Sequence, residues 1–386
     1  MFGKKNTPTL VNSRPIPGKP EFILLAVWLL INGFFLAYRG IYLEGESAKY
    51  LDQAHLLLTT GAPESPNYWL YTIQILLVAC CLKFHLSLYF VVLIQLLFNG
   101  IATAFFYKTL QYIFGDHRTA FIGTLLLLAD YFYQEFNTFL YTESLFYSFT
   151  LILSCYLIHI QTLTVKKGLT VAGLLVLICI TRPTGILFLP PAFLYLFLVF
   201  FRKMSAPKKI MLLACITVAF LFLLNLALGS GGELDFMLPF RDERIICGVP
   251  TLSGFLPIKT AANGNSLYGL LYYILHNTPQ FIKMVGLRTR AFVGLYRDYF
   301  STGHNIYLLV YFNCLHLLAL ASLGFWVKRD FNILCYLISA FALTWLTVIL
   351  TCDDWHNRFY LTISPFLIIL AMPTVQKLMK KPVNDN

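Results

Sequence analysis

Charge is what this sequence has least of: Asp, Glu, Lys and Arg make up 12% of its 386 residues, against 58% hydrophobic ones. Soluble globular domains carry roughly 25% charged residues, so water is excluded as the main solvent. There is no Walker motif, no GxSxG elbow and no HExxH pair, which leaves soluble nucleotide chemistry without a visible site. No Asn-x-Ser/Thr sequon occurs, which points toward a bacterial inner membrane and away from the secretory pathway. The cysteines show neither metal-site spacing nor a disulfide framework. Seven of the nine (Cys80, Cys81, Cys155, Cys179, Cys215, Cys314, Cys335) lie in apolar blocks, and only Cys247 and Cys352 lie in outer segments where pairing is open to them. No cleavable leader is visible: residues 1–20 are polar and no small-residue cleavage site follows the first apolar block, so the first helix reads as a retained signal anchor.

What the sequence does have is apolar blocks of membrane length, such as 86–107, 210–228 and 306–327. At 1.5 Å per residue they match a hydrocarbon core roughly 30 Å thick. The formal charge of +11 falls mostly in the short links and tails, including Lys108, Arg118, Lys166, Lys167, Lys208, Lys209, Lys328 and Arg329, while most carboxylates lie in the other links. That is the positive-inside bias, and it accounts for the basicity without nucleic acid. The expectation is an all-α membrane bundle of about ten crossings with both termini cytoplasmic.

Residues 1–20 form a cytoplasmic tail, and 21–228 a catalytic core whose first outer loop is 39–85. Within that loop 67–83 lies flat at the membrane surface, although hydropathy alone makes it a span. A hairpin at 119–162 turns near 131–143, and another at 169–201 turns at Thr181–Gly185. A long outer loop, 229–304, precedes C-terminal membrane helices at 305–376 and a cytoplasmic tail at 377–386. The stretches 1–20 and 382–386 read as disordered. In the long loop, Thr278 as N-cap followed by Pro279 opens an amphipathic helix over 279–300. Phe281, Met284, Val285, Phe292, Leu295, Tyr296 and Tyr299 make its apolar stripe. Lys283, Arg290 and Arg297 make a basic stripe that reads equally as lipid-facing or as a solvated face. Arg288 projects from the apolar side and needs a partner.

Four places can carry chemistry. In the first outer loop Glu44 and Glu46 precede Lys49 and Tyr50, and a helix starting near Glu46 puts Glu46, Tyr50, Gln53 and Leu57 on one face. Glu46 is either a solvated acid or a general base acting on a hydroxyl. Glu143 opens a strongly apolar helix, where a carboxylate usually faces a polar cavity rather than lipid; the alternative is a loop-tip acid in water. Arg182 stands alone at an outer tip, which the charge bias disfavours, and a phosphate or carboxylate partner would account for it. Asp353, Asp354, His356 and Arg358 cluster before the last helix with spacing unspecific for a metal, and read as cavity lining.

Taken in order, these residues resemble the GT-C glycosyltransferase superfamily, in the branch of protein O-mannosyltransferases and lipid A aminoarabinose transferases. The carrying motifs are Glu46-Ser47-Ala48-Lys49-Tyr50, Tyr141-Thr142-Glu143-Ser144, Thr181-Arg182-Pro183 followed by Pro190-Pro191, and Arg358-Phe359-Tyr360 leading to Pro365. The likeness covers roughly residues 20–200 well and the rest in outline. It departs from the family where the first acid is Glu46 followed by Ser47, and where Glu64-Ser65-Pro66 lacks the family's lysine. The resemblance implies an inverting transferase that takes a sugar from a polyprenyl phosphate to a lipid, glycan or protein hydroxyl at the periplasmic face. It implies Glu46 as base, Glu143 shaping the acceptor or metal side, and Arg182 with Arg288 or Arg358 on the departing phosphate. Glu44 and Tyr50 join as substrate contacts, and a divalent cation is an option that nothing in the residues demands. An O-antigen polymerase or ligase, or a transporter or lipid flippase, is the alternative; a transporter should show related halves, and none are seen.

Overall fold

The computed structural model describes residues 19–201, 204–229, 237–249 and 257–380. Most of the tail 1–20, the stretch 382–386, and Arg202 and Lys203 of a basic link lie outside them. Among the described residues there is no β-strand, only two isolated bridges. The chain divides into two compact units: Met1–Tyr195 with Leu315–Leu337 and Ser364–Asn386, and Leu196–Cys314 with Ile338–Ile363.

The first unit begins with α1 (Pro20–Arg39), whose proline occupies a first-turn position where no amide hydrogen is needed. The first outer loop holds α2 (Ser47–Thr60) and α3 (Thr72–Lys83), joined through a 3₁₀ turn at Pro66–Tyr71. At 12 residues α3 reaches only about 18 Å, short of the ~17 residues a crossing needs. Then come α4 (Tyr89–Phe114), α5 (His117–Ala129), α6 (Tyr131–Glu135), α7 (Glu143–His159) and α8 (Val165–Thr181). Helix α4 runs seven residues past the expected end at 107, so Lys108 sits on helix and the basic link shortens to a tight turn. The turn is made by Gly115 and by Asp116, whose carboxylate accepts the amide hydrogens of Arg118 and Thr119 at 3.2 and 3.1 Å. A 3₁₀ turn at Pro183–Phe188 leads into α9 (Leu189–Phe200).

The second unit contains α10 (Ala206–Gly229), α11 (Met237–Arg241), α12 (Leu267–His276) and α13 (Thr278–Gly294). The helices α14 (Thr302–Arg329), α15 (Phe331–Leu350) and α16 (Arg358–Met379), like α9, each give part of their length to each unit. Among the described residues six segments are long and apolar enough to cross a membrane: α1, α4, Pro183–Phe200, α14, α15 and α16. Lipid offers no hydrogen bonds to a broken backbone, and α16 carries Pro365 and Pro373. Around Pro373 the amide of Thr374 donates to Ser322 Oγ at 3.1 Å, and the carbonyl of Leu370 accepts from Trp326 Nε1 at 3.0 Å. Both partners come from α14, so the break is closed by its neighbour.

Four expectations for the long loop need correction. Helix α13 ends at Gly294, not 300, because Leu295 turns left-handed with φ 58°. Tyr296 and Tyr299 are therefore off the helix and exposed, while Met284, Phe292 and Leu295 are buried. Thr278 is not the N-cap: the cap position is Asn277, and the Thr278 hydroxyl donates backward to Ile274 O. The basic stripe is broken, since Lys283 pairs with Glu243 and Arg297 is buried against Asp353. The loop holds three helices among its described residues rather than one.

Cys247 and Cys352 form a disulfide across 105 residues. Beside it, Cys247 N donates to Asp353 O at 2.7 Å and Asp353 N to Ile245 O at 2.8 Å. The covalent link and the two amide bonds fasten the long loop to the segment before α16. Removing the bridge as Cys247→Ser/Cys352→Ser should cost about 2–5 kcal/mol. Thermal unfolding of the purified protein with and without reductant reads this: the native chain should lose stability on reduction and the double variant should show no further loss.

Candidate functional site

The first unit brings three distant segments together. The link 40–46 lies along the turn 138–141, with Tyr42 N donating to Thr138 O at 3.0 Å and Leu140 N to Tyr42 O at 3.1 Å. The Tyr42 and Phe139 rings stack at 4.3 Å. The turn is itself tied down by polar side chains. Gln95 of α4 donates to Phe139 O at 2.9 Å. Asn137 donates to Asn32 of α1 at 2.9 Å and accepts from Ser144 of α7 at 2.7 Å. Arg39 closes the arrangement in an ion pair with Glu135. Polar groups buried in an apolar bundle cost free energy unless paired, so this web fixes one position for the turn.

Tyr141 then sets Glu46. Its buried hydroxyl accepts the Glu46 amide hydrogen at 3.1 Å and donates to Glu44 O at 2.9 Å. Between these two, Gly45 adopts φ 65°, and a Cβ there would collide with the same hydroxyl. A glycine is the residue that satisfies both conditions. Glu46 occupies the position just before α2; the Tyr50 hydroxyl donates to its Oε2 at 3.4 Å and Lys49 Nζ stands 3.9 Å away. Lys49 also lies over the rings of Tyr71 and Tyr50, at 4.3 and 5.2 Å. The Glu46 side chain keeps 32% exposure, so its carboxylate is held yet reachable. Glu44 has an exposed side chain and enters this cluster through its carbonyl.

Glu143 is fully buried at the first residue of α7, where the helix dipole favours negative charge. It forms an ion pair with Arg182, which leaves the end of α8 in extended backbone just before Pro183. Gly185, three residues on, lets the 3₁₀ turn press against the Ile178 carbonyl, where a Cβ would meet the oxygen at 2.5 Å. Tyr50 connects this pair to Glu46. Burial first, then the negative charges of Glu46 and Glu143, hold its phenol proton on, and Arg182 works in the other direction. Four of the sequence-derived residues, Glu46, Tyr50, Glu143 and Arg182, therefore form one electrostatic group. Next to it, α2, the 3₁₀ turn and α3 leave a shallow apolar groove lined by Leu57, Tyr68, Trp69, Ile75 and Leu76.

The two other candidate arginines belong to the second unit and have protein partners. Arg288, fully buried, donates to the carbonyls of Arg244, Ile349 and Pro239 at 2.9, 2.8 and 3.0 Å and lies over the Phe240 ring. Burial lowers its guanidinium to about 10, so it stays charged at neutral pH. It is a staple for backbone, a task the sequence reading does not assign it. Arg358 pairs with Asp354 at 2.7 Å, and Arg297 pairs with Asp353 at 2.5 Å. Asp353 and Asp354 are buried in these pairs. Among the described residues no group of three or more His, Cys, Asp or Glu is placed to hold a metal.

Sequence reasoning passed over Tyr141 and Lys49 as working parts. The signal for Tyr141 was Gly45 between two acids, a mark of close backbone approach. Gly45→Ala should cost about 1–3 kcal/mol, and Tyr141→Phe should lower stability by loss of its two hydrogen bonds. Because both changes strike one contact, the double variant should lose less than the sum. Strict additivity in thermal melts would show that no clamp exists. A second outcome concerns Asp353, whose carboxyl is raised from 3.8 to about 6 by burial against the opposing pull of Arg297. A group raised on folding favours the fold while protonated, so its contribution is present below 3.8 and lost as pH rises through about 6. The melting temperature should contain a component falling over that window, and Asp353→Asn should remove the component. No protein-family model, curated protein or solved structure matches this chain.

Proposed function

We propose that the chain is a membrane glycosyltransferase that moves a sugar from a polyprenyl-phosphate donor to an acceptor hydroxyl at the outer face of a bacterial inner membrane, with about ten helical crossings and inversion at the anomeric carbon. The observation that carries the reading is the convergence of Glu46, Tyr50, Glu143 and Arg182 from three separate segments into one group. In this reaction the acceptor oxygen attacks the anomeric carbon and the bond from that carbon to the phosphate oxygen breaks. The acceptor proton goes to Glu46, whose side chain is the reachable carboxylate of the group. The electron pair leaves with prenyl phosphate, and the guanidinium of Arg182 steadies the charge that develops there. Glu143 holds that guanidinium in place and shapes the acceptor side. The apolar groove beside α3 gives the prenyl tail a surface of matching chemistry.

The disulfide between Cys247 and Cys352 supports the outward orientation, because such bonds persist in the periplasm and are rare in the cytosol. With the long loop on that side, nucleotide sugars are scarce and lipid-linked donors are the available currency. A transporter would be expected to place its acids at the membrane midplane between related halves, whereas Glu46 lies in a loop helix. The polymerase or ligase alternative leans on outer-loop arginines, and Arg288 is committed to three carbonyls.

Glu46→Gln should abolish glycosyl transfer in membranes supplied with polyprenyl-phosphate sugars while leaving the unfolding free energy within about 1 kcal/mol of native. Mass spectrometry of surface glycans and lipids, with and without the gene, names donor and acceptor and supplies the assay. Turnover near the native rate in that variant removes the assigned base.

A further inference from the structure

Helix α12 is apolar on every side, which is unusual for a helix of an outer loop. One side is internal: Tyr273 is buried with Met237, Phe240 and Met284, and Leu270 and Ile274 pack against that core. Gly269 lets the preceding loop cross it closely, for a Cβ there would strike the carbonyls of Asn263 and Gly264. The opposite side is bare. Tyr268, Leu271 and Leu275 are 66%, 55% and 65% exposed, and at 100° per residue they fall, with Tyr272, in one stripe. Leaving three large apolar side chains bare in water forgoes the burial that drives folding, and no charged residue interrupts the helix.

The depth of α12 follows from its attachment. The amide of Leu267, its first residue, donates to Asn225 Oδ1 at 2.9 Å, and Asn225 lies in the last turns of α10. Leu228 of the same turns packs into the α12 core. Between 210 and 228 the sequence of α10 has no charged residue, so α10 has the character of a membrane helix and α12 starts where it ends. At 10 residues, about 15 Å, α12 cannot cross a bilayer. Its ends are polar: Ser266 caps the start with its side chain, and His276 and Asn277 stand at the finish. Asn277 bridges to Lys259 through its side chain at 2.8 and 3.0 Å.

We infer that α12 is a monotopic membrane helix that lies in the outer leaflet, with Tyr268, Leu271 and Leu275 among the acyl chains. The occupant of its bare stripe is phospholipid. This moves the lipid-facing role from α13, whose inner residues form protein core, to the helix before it. The inference is independent of the transferase reading, for it concerns how the long loop is seated and not what the first unit catalyses. Its physical consequence is that the loop cannot swing freely above the membrane: α12 is pinned at both the lipid boundary and the end of α10.

The test places a nitroxide at Tyr268→Cys, Leu271→Cys or Leu275→Cys, one at a time, in the full-length protein. The exposed thiols Cys80, Cys215 and Cys314 are replaced by Ala beforehand. The protein is reconstituted in phosphatidylethanolamine and phosphatidylglycerol vesicles, and collisions with oxygen and with a water-soluble nickel chelate are measured. Lipids labelled on the headgroup and along the acyl chain calibrate depth. Collision with the chelate should be lost at all three positions, to the level of the acyl-chain labels, while oxygen collision stays high. Chelate collisions at the aqueous level overturn the inference, because the stripe then faces water. Protection from both reagents overturns it as well, because protein then covers the stripe.

Discussion

The ion pair of Glu143 and Arg182 imposes the condition that the rest of the first unit has to meet. A carboxylate with no exposure at the start of an apolar helix is tolerable only if a cation reaches it. The cation comes from the break between α8 and the following 3₁₀ turn, so that break must fall at Arg182, and Pro183 with Gly185 make it fall there. The turn 138–141 must in turn present α7 at the right height, and the chain Asn32, Asn137 and Ser144 holds it. Tyr141 carries the same constraint outward to Glu46. A buried charge pair thus sets the position of an accessible carboxylate through one phenol and one glycine.

The second unit solves a different problem with similar means. Its outer loop has one small core around Tyr273, and its arginines act as staples for backbone. Arg288 donates to three carbonyls at helix ends and turns, and Arg297 donates to three more at Ala291, Tyr296 and Asp354 besides its bond to Asp353. With the disulfide, these contacts bind the loop to the segment before α16. The planar guanidinium suits this task because its five donors point in fixed directions.

Much of this was legible in the sequence where a residue's neighbours along the chain determine its role. Glu46 and Tyr50 share a helix face by spacing, and they meet. Arg182 at a Pro-Gly break asked for a carboxylate or phosphate, and it has Glu143. Arg288 on an apolar face asked for a partner, but backbone carbonyls leave no mark in sequence, so the partner was out of reach. The end of α13 was misplaced because a left-handed Leu295 carries no signature, and Arg297 was thereby put on a face it does not occupy. Helix α12 was missed altogether, since periodicity vanishes when every side of a helix is apolar. The pairing of Cys247 with Cys352 spans too much chain to be read from spacing.

The first unit depends most directly on the coupling between Glu143 and Arg182, and a double-mutant cycle measures it. Glu143→Gln and Arg182→Met are made singly and together, and thermal stability is read for each. Each single change should cost about 3–5 kcal/mol, since it strands a buried partner, and the double variant should recover most of that loss. Single variants as stable as the native protein, or a double variant that loses the sum of both, would contradict the account.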